Sequence, residues 1–151
     1  MVVLSVDLGN TRTKLGVFKD GFLIETRVLS PLQLSSLSQD YPNSFVAVSN
    51  VSKNEHFDLL KNTFGDDFFE LTFSMRLPFR MSYDTPKTLG KDRISNAAAL
   101  VSFCNNKPKL CIDIGTCIKF DFVDENNVYY GGSISPGLRL RLSALNQKTA
   151  N

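Results

Sequence analysis

Val6-Asp7-Leu8-Gly9-Asn10-Thr11-Arg12-Thr13-Lys14 stands between two apolar segments, Met1 to Val6 and Leu15 to Phe18. Val2, Val3, Leu4 and Val6, broken only by Ser5, read as a strand buried on both faces, and Gly9 reads as the turn that ends it. Asp7 then falls at a strand end, where the backbone opens into a tight loop. Such a loop offers successive N–H groups, the Asn10 amide and the Thr11 hydroxyl to an anion, while the Asp7 carboxylate can hold a hydrated Mg²⁺ that the anion also binds. That is chemistry suited to a nucleoside triphosphate. The same residues also suit a plain β-turn in which Asp7 and Asn10 bond their own backbone.

A second stretch has the same construction. Ile112-Asp113-Ile114-Gly115-Thr116-Cys117-Ile118-Lys119-Phe120 follows the apolar Leu110 to Ile112 and leads into another strand-like segment, 106 residues after the first. Self-similarity of this kind marks duplicated architecture, and two such hairpins across a cleft would clamp the two ends of a polyphosphate.

Between the two copies the pattern alternates. Phe22 to Leu29 follows an Asp20-Gly21 hairpin signal, so three antiparallel strands are expected to open the fold. Pro31 starts a Leu-spaced short helix with Leu32, Leu34 and Leu37. Phe45 to Val51 reads as a buried strand, Ser52 to Asn62 as a helix stopped near Gly65, and Phe68 to Phe73 as another strand. The sum is a mixed sheet with helices packed on it.

Leu77 to Arg93 is read as neither strand nor helix. It gathers Tyr83, Asp84, Lys87, Gly90, Lys91, Asp92 and Arg93, and ends at an alanine-rich helix, Ile94 to Phe103. Asp92 reads either as the N-cap of that helix with Arg93 solvated, or as a general base on a substrate hydroxyl with Arg93 anchoring a carboxylate or phosphate.

Composition limits the alternatives. A chain of 151 residues buries roughly 68–70% of its unfolded surface, enough for a stable core. Lys+Arg 17 against Asp+Glu 15 leaves a net charge of +2, with no basic cluster that suggests nucleic acid. No run approaches the ~20 apolar residues of a membrane span, and no basic segment precedes the apolar start, so a cytoplasmic protein is expected. Cys104, Cys111 and Cys117 are odd in number and fall in helix and strand patterns, as buried reduced thiols do. His56, the single histidine, reads as a surface residue.

Four motifs in register resemble those of type III pantothenate kinases: Asp7-Leu8-Gly9-Asn10-Thr11 with Lys14, Gly90-Lys91-Asp92-Arg93 with Asn96, Asp113-Ile114-Gly115-Thr116, and Gly131-Gly132-Ser133-Ile134-Ser135-Pro136-Gly137. The resemblance covers essentially the whole chain. It implies an α/β fold of the superfamily of acetate and sugar kinases, heat-shock chaperone ATPases and actin: a ribonuclease-H-like mixed sheet with flanking helices, duplicated. Residues 1–108 would form the first ribonuclease-H-like domain and 109–151 the opening part of a second, incomplete one. It further implies a homodimer that phosphorylates pantothenate to 4'-phosphopantothenate with ATP, the first step of coenzyme A biosynthesis, using Mg²⁺ and a monovalent cation, K⁺ or NH₄⁺.

Carried over by position, the resemblance puts Asp7, Gly9, Asn10, Thr11, Lys14, Asp113, Gly115 and Thr116 at ATP. Tyr83, Gly90, Asp92 and Arg93 fall at pantothenate, with Asp92 as base, and Asp7, Asp113 and Asp121 at metal ions. One departure falls inside a motif: Cys117, Ile118 and Lys119 stand where the family commonly has a small residue and threonines before an aspartate. Lys119 would then give charge to a phosphate or point into solvent. Only 39 residues, 113 to 151, remain for the second copy, so a truncated chain that binds nucleotide weakly and does not turn over pantothenate is expected. The alternatives are a regulatory protein on the same scaffold, like an accessory transcription factor, and a superfamily kinase for a sugar or acetate.

Overall fold

The computed structural model describes residues 1–51, 55–103 and 106–149. The chain is mixed α/β and divides into two compact units, Met1–Thr72 and Phe73–Asn151, each built on a mixed five-stranded sheet.

In the first unit, β1 (Val2–Leu8), β2 (Thr13–Lys19) and β3 (Phe22–Leu29) form the expected antiparallel opening. Asp20 and Gly21 turn the β2–β3 hairpin with positive φ at both positions, 51° and 86°, the backbone that an Asp-Gly pair adopts at low cost. Ser30 then caps α1 (Pro31–Ser35): its hydroxyl accepts from the Gln33 N–H, and the Gln33 side chain accepts from the Ser30 N–H. This reciprocal capping box, with Pro31 inside the start, explains why so short a helix forms. After α2 (Leu37–Asp40), β4 (Phe45–Asn50) runs parallel to β1. The helix read over 52–62 is observed as α3 (His56–Phe64), stopped by Gly65 at φ 52°; residues 52–54 of that reading lie outside the described ones. β5 (Phe68–Glu70) pairs in parallel with β4 and is shorter than expected.

The core of this unit lies on one face of its sheet. Leu4, Val6 and Leu8 of β1 point the same way as Leu15, Val17, Val46 and Val48, and meet Leu34, Leu37 and Leu60 of the helices. Each fully buried Leu or Val side chain contributes about 1.5–3 kcal/mol. Ser5 on the opposite face is exposed and Val3 and Asp7 are half-buried, so β1 is covered on one face, not on both as its apolar run suggested. An alternating strand is the physical consequence of helices packing from one side. His56 is half-buried at the head of α3, not a surface residue.

The second unit starts with a segment read as irregular. It contains the two-residue β6 (Arg80–Met81), which pairs in parallel with β9 (Val128–Gly131), and a turn of 3₁₀ helix at Pro86–Thr88. The helix α4 (Lys91–Phe103) starts three residues earlier than expected. β7 (Lys109–Ile114) and β8 (Cys117–Val123) form an antiparallel hairpin, and β9 and β10 (Ile134–Pro136) both pair with β8. The bend between them is at Gly131 and Gly132; Gly132 has φ 151°, and a Cβ there would meet the Phe120 carbonyl oxygen at 2.0 Å. α5 (Leu138–Lys148) closes the described chain.

Compactness thus divides the chain at Thr72/Phe73, ahead of the boundary at 108 that the resemblance implies. Residues 73–108 go with the second sheet because β6 pairs with β9 and α4 packs on β7 and β8. One face of that sheet, with Cys111, Asp113, Lys119, Asp121 and Val123, lies toward α4; Leu110, Ile112 and Ile114 alternate onto the other and are exposed.

Candidate active site

The two Asp-Xaa-Gly turns are built alike. Asp7 pairs across the hairpin with Lys14, and Leu8 with Thr13, while the Gly9 N–H donates to the Arg12 carbonyl at 3.2 Å. In the second unit Asp113 pairs with Lys119, and Ile114 with Ile118, while the Gly115 N–H donates to the Cys117 carbonyl at 2.9 Å. Lys119 therefore holds the register position of Lys14, on a loop one residue shorter. Asn10, Thr11 and Lys14 are exposed around the first turn, and Gly115 and Thr116 at the second. Gly137 backs the second turn: its N–H donates to the Thr116 carbonyl at 2.8 Å, and a Cβ on it would meet the Gly115 oxygen at 2.2 Å. The Gly-Gly to Pro-Gly motif is thereby explained as a close approach of backbone to the phosphate-type turn.

Asp92 is not the N-cap of α4. The Gly90 carbonyl accepts the first helical bonds, from the N–H groups of Arg93 and Ile94 at 3.0 and 3.3 Å, which puts Asp92 inside the first turn. There its Oδ1 accepts from the Arg93 N–H at 2.9 Å, a favourable place for negative charge at a helix start. A Cβ at position 90 would meet that same oxygen at 2.5 Å, so glycine makes room for this carboxylate. Lys119 is neither in solvent nor turned to open space: its Nζ donates to Asp92 Oδ2 at 2.5 Å and lies 2.6 Å from Asp113 Oδ2. Burial alone would lower the Lys119 pKa, but its bonds to Asp113 and Asp92 outweigh that and raise it.

Arg93 is buried, which corrects its reading as a solvated residue. Its Nε donates to Asp121 Oδ1 at 2.8 Å and its Nη2 to the Phe120 carbonyl at 3.1 Å. Asp121 is fully enclosed and also accepts from the Tyr129 hydroxyl at 2.7 Å and from Asn96 Nδ2 at 3.3 Å. A carboxylate with a guanidinium and two further donors has its charge met from within the unit. Asp121, expected beside a cation, is thus an anchor for Arg93. Burial and the bond to Asp121 push the Tyr129 phenol well above its ordinary range. Tyr83 is half-buried, its ring centroid 6.2 Å from that of Tyr129 and packed over Gly131.

The second unit accordingly brings Tyr83, Gly90, Asp92, Arg93, Asp113 and Asp121 together around α4 and the β7–β8 hairpin. Asp7, Gly9, Asn10, Thr11 and Lys14 sit in the first. Tyr129 carries little signal in the sequence beyond a phenol in a run that otherwise reads as core, Val128-Tyr129-Tyr130. Cys111 and Cys117 are free and half-buried, and Cys104 lies outside the described residues. Burial, then the charges of Asp121 and Asp113, raise the Cys111 thiol pKa, which keeps it protonated and inert.

Two aspartate turns on paired strands, with a charge-paired carboxylate at a helix start beside one of them, mark a mixed α/β protein with a twice-used turn. Residues 3–151 match the model of the type III pantothenate kinase family, and the chain belongs to that family. It is 40% identical to the type III pantothenate kinase of Flavobacterium psychrophilum, over 99% of this chain and 64% of that protein. It is 39% identical to that of Flavobacterium johnsoniae, over 99% and 63%, and 33% identical to that of Methylacidiphilum infernorum, over 98% and 56%. The chain thus spans less than two thirds of the length of these relatives. The comparisons do not bear out the expectation that these residues by themselves lack turnover. Among solved structures, the Aquifex aeolicus PPX-GPPA enzyme resembles it with a TM-score of 0.43 at 12% identity, covering 95% of this chain and 55% of that one, too slight a likeness to assign a fold. Among the described residues no helix is long and apolar enough to cross a membrane.

Proposed function

We propose that the protein phosphorylates the primary hydroxyl of pantothenate with ATP, in the cytoplasm and as a homodimer, on a duplicated ribonuclease-H-like scaffold. The observation that carries the reading is the Gly90-Lys91-Asp92-Arg93 loop: a glycine that makes room for a carboxylate at the head of α4, in a chain that belongs to this family.

Asp92 is the general base. As the pantothenate oxygen forms its bond to the γ-phosphorus and the bond to the ADP oxygen breaks, the hydroxyl proton passes to the Asp92 carboxylate. Arg93, fixed in place by Asp121, is a positioned hydrogen-bond donor at the pantothenate end of the site; Tyr83 supplies an aromatic wall and a hydroxyl there. Gly9, Asn10, Thr11 and Lys14 receive phosphates at the first turn, and Gly115 and Thr116 at the second. Asp7 is the carboxylate that would hold Mg²⁺, which when bound would neutralise triphosphate charge. A carboxylate at a strand end beside a phosphate-binding turn fits that ion, which is usually held through one or two carboxylates plus substrate phosphates.

Incubation of the full-length protein with Mg²⁺-ATP and pantothenate should give ADP and 4'-phosphopantothenate, detected by mass spectrometry. Phosphorylation of a sugar or of acetate in place of pantothenate would assign it to another kinase of the superfamily. Failure with every acceptor would favour a regulatory protein.

A further inference from the structure

Lys119 has its ammonium between two carboxylates that come from different elements. Asp113 faces it across the β7–β8 hairpin, and Asp92 reaches it from the first turn of α4. All three side chains are largely withdrawn from water, 14% exposed for Lys119, 21% for Asp92 and 31% for Asp113. The third carboxylate on this face, Asp121, is already met by Arg93, Tyr129 and Asn96. Two aspartates this close to one another repel unless a positive charge lies between them, and here the chain itself supplies that charge.

We propose that Lys119 is a built-in counter-cation for the Asp92–Asp113 pair, occupying by covalent attachment the charge-neutralising place of a monovalent cation, so that this protein works without added K⁺ or NH₄⁺. The inference rests on the kinase reading above for its kinetic arm only. An ammonium tethered to β8 has no binding equilibrium to satisfy, and its register opposite Asp113 fixes it where the carboxylates converge. Lys14, in the matching register position of the first hairpin, is exposed, so the enclosed bridge is a property of this hairpin and not of the motif. Asp121 has no charge left over to attract a cation from solution.

The experiment uses the full-length protein and its Lys119→Met and Lys119→Arg variants in buffers whose only monovalent cation is tetramethylammonium, with or without added KCl or NH₄Cl at constant ionic strength. Two quantities are read: the thermal midpoint of the ligand-free protein, which needs no turnover, and kcat/KM for pantothenate. For the native protein neither should respond to K⁺ or NH₄⁺ beyond the ionic-strength control. Lys119→Met should lose at least about tenfold in kcat/KM without the small cations, recover part of it when they are added, and show a midpoint that rises specifically with them. Lys119→Arg keeps the charge and should remain insensitive. A native protein stimulated tenfold by K⁺, or a Lys119→Met variant that behaves like the native one in both readings, overturns the proposal. If no acceptor is phosphorylated under any condition, the kinase reading fails, and the midpoints still decide the role of Lys119.

Discussion

The most demanding consequence of the second unit concerns Asp121→Asn. The substitution is nearly isosteric, so it changes charge and leaves shape. It leaves the Arg93 guanidinium, 8% exposed, facing a neutral amide, and it removes either the acceptor of the Asn96 bond, Oδ2, or the oxygen that Arg93 and Tyr129 share, Oδ1. Breaking one half of a buried, hydrogen-bonded ion pair costs about 3–5 kcal/mol, because the remaining charge cannot regain its hydration. Tyr129→Phe removes only the hydroxyl donor and leaves the pair intact, so a loss of about 1.5–3 kcal/mol is expected, the range for a hydrogen bond to a charged group. Asp121→Asn should therefore be the worse of the two, by about 2 kcal/mol between the middles of these ranges. Urea unfolding reads this directly through tyrosine signals: the chain has four tyrosines and no tryptophan, and Tyr83, Tyr129 and Tyr130 belong to the second unit while only Tyr41 belongs to the first. A loss below about 1 kcal/mol for Asp121→Asn would refute the buried-pair reasoning and reopen Asp121 as a cation ligand.

Three further outcomes are expected. Asp92→Asn should lower kcat by about 10²–10⁴-fold with little change in thermal midpoint, since the amide still accepts from the Arg93 N–H and Lys119 keeps Asp113 as its counter-charge; near-normal kcat would sink the base assignment. Gly132→Ala should destabilise the second unit by more than the roughly 1–3 kcal/mol of a disfavoured backbone, because its Cβ also meets the Phe120 carbonyl at 2.0 Å; urea unfolding measures it. Spectroscopic titration should show the Tyr129 phenol ionising well above the ordinary tyrosine range, since burial and then Asp121 raise its pKa. As its folded pKa lies above the unfolded value, its contribution is complete below about pH 10, is lost as pH rises beyond it, and is absent in Tyr129→Phe.

Local chemistry made much of the first unit legible. Asp20-Gly21 demanded a tight hairpin, Pro31 marked a helix start, and Gly65 a stop; each acts within four residues and needs nothing distant. The position of Asp92 was harder for the same reason. Aspartate is favoured both as an N-cap and in the first turn, so residue type alone does not separate the two, and the helix starts earlier because the Gly90 carbonyl, not an Asp92 side chain, collects the first N–H groups.

The bonds that organise the site span 27 or 28 residues, Arg93 to Asp121 and Lys119 to Asp92, and no local signal encodes them. One of Lys119's two partners was within reach of sequence reasoning, though. Once Asp113-Ile114-Gly115 is matched to Asp7-Leu8-Gly9, the antiparallel register that pairs Asp7 with Lys14 puts a residue of β8 opposite Asp113, and a loop one residue shorter makes that residue Lys119. A lysine that breaks a family's threonine pattern at that register is therefore not a neutral change. Opposite an aspartate on a face covered by α4 it has only two physical fates, to pair or to carry an unmet charge out of water, and the second costs several kcal/mol. The departure from the motif and the bridge in the fold are one fact seen at two levels, and they bind the fate of Asp92 to that of residue 119.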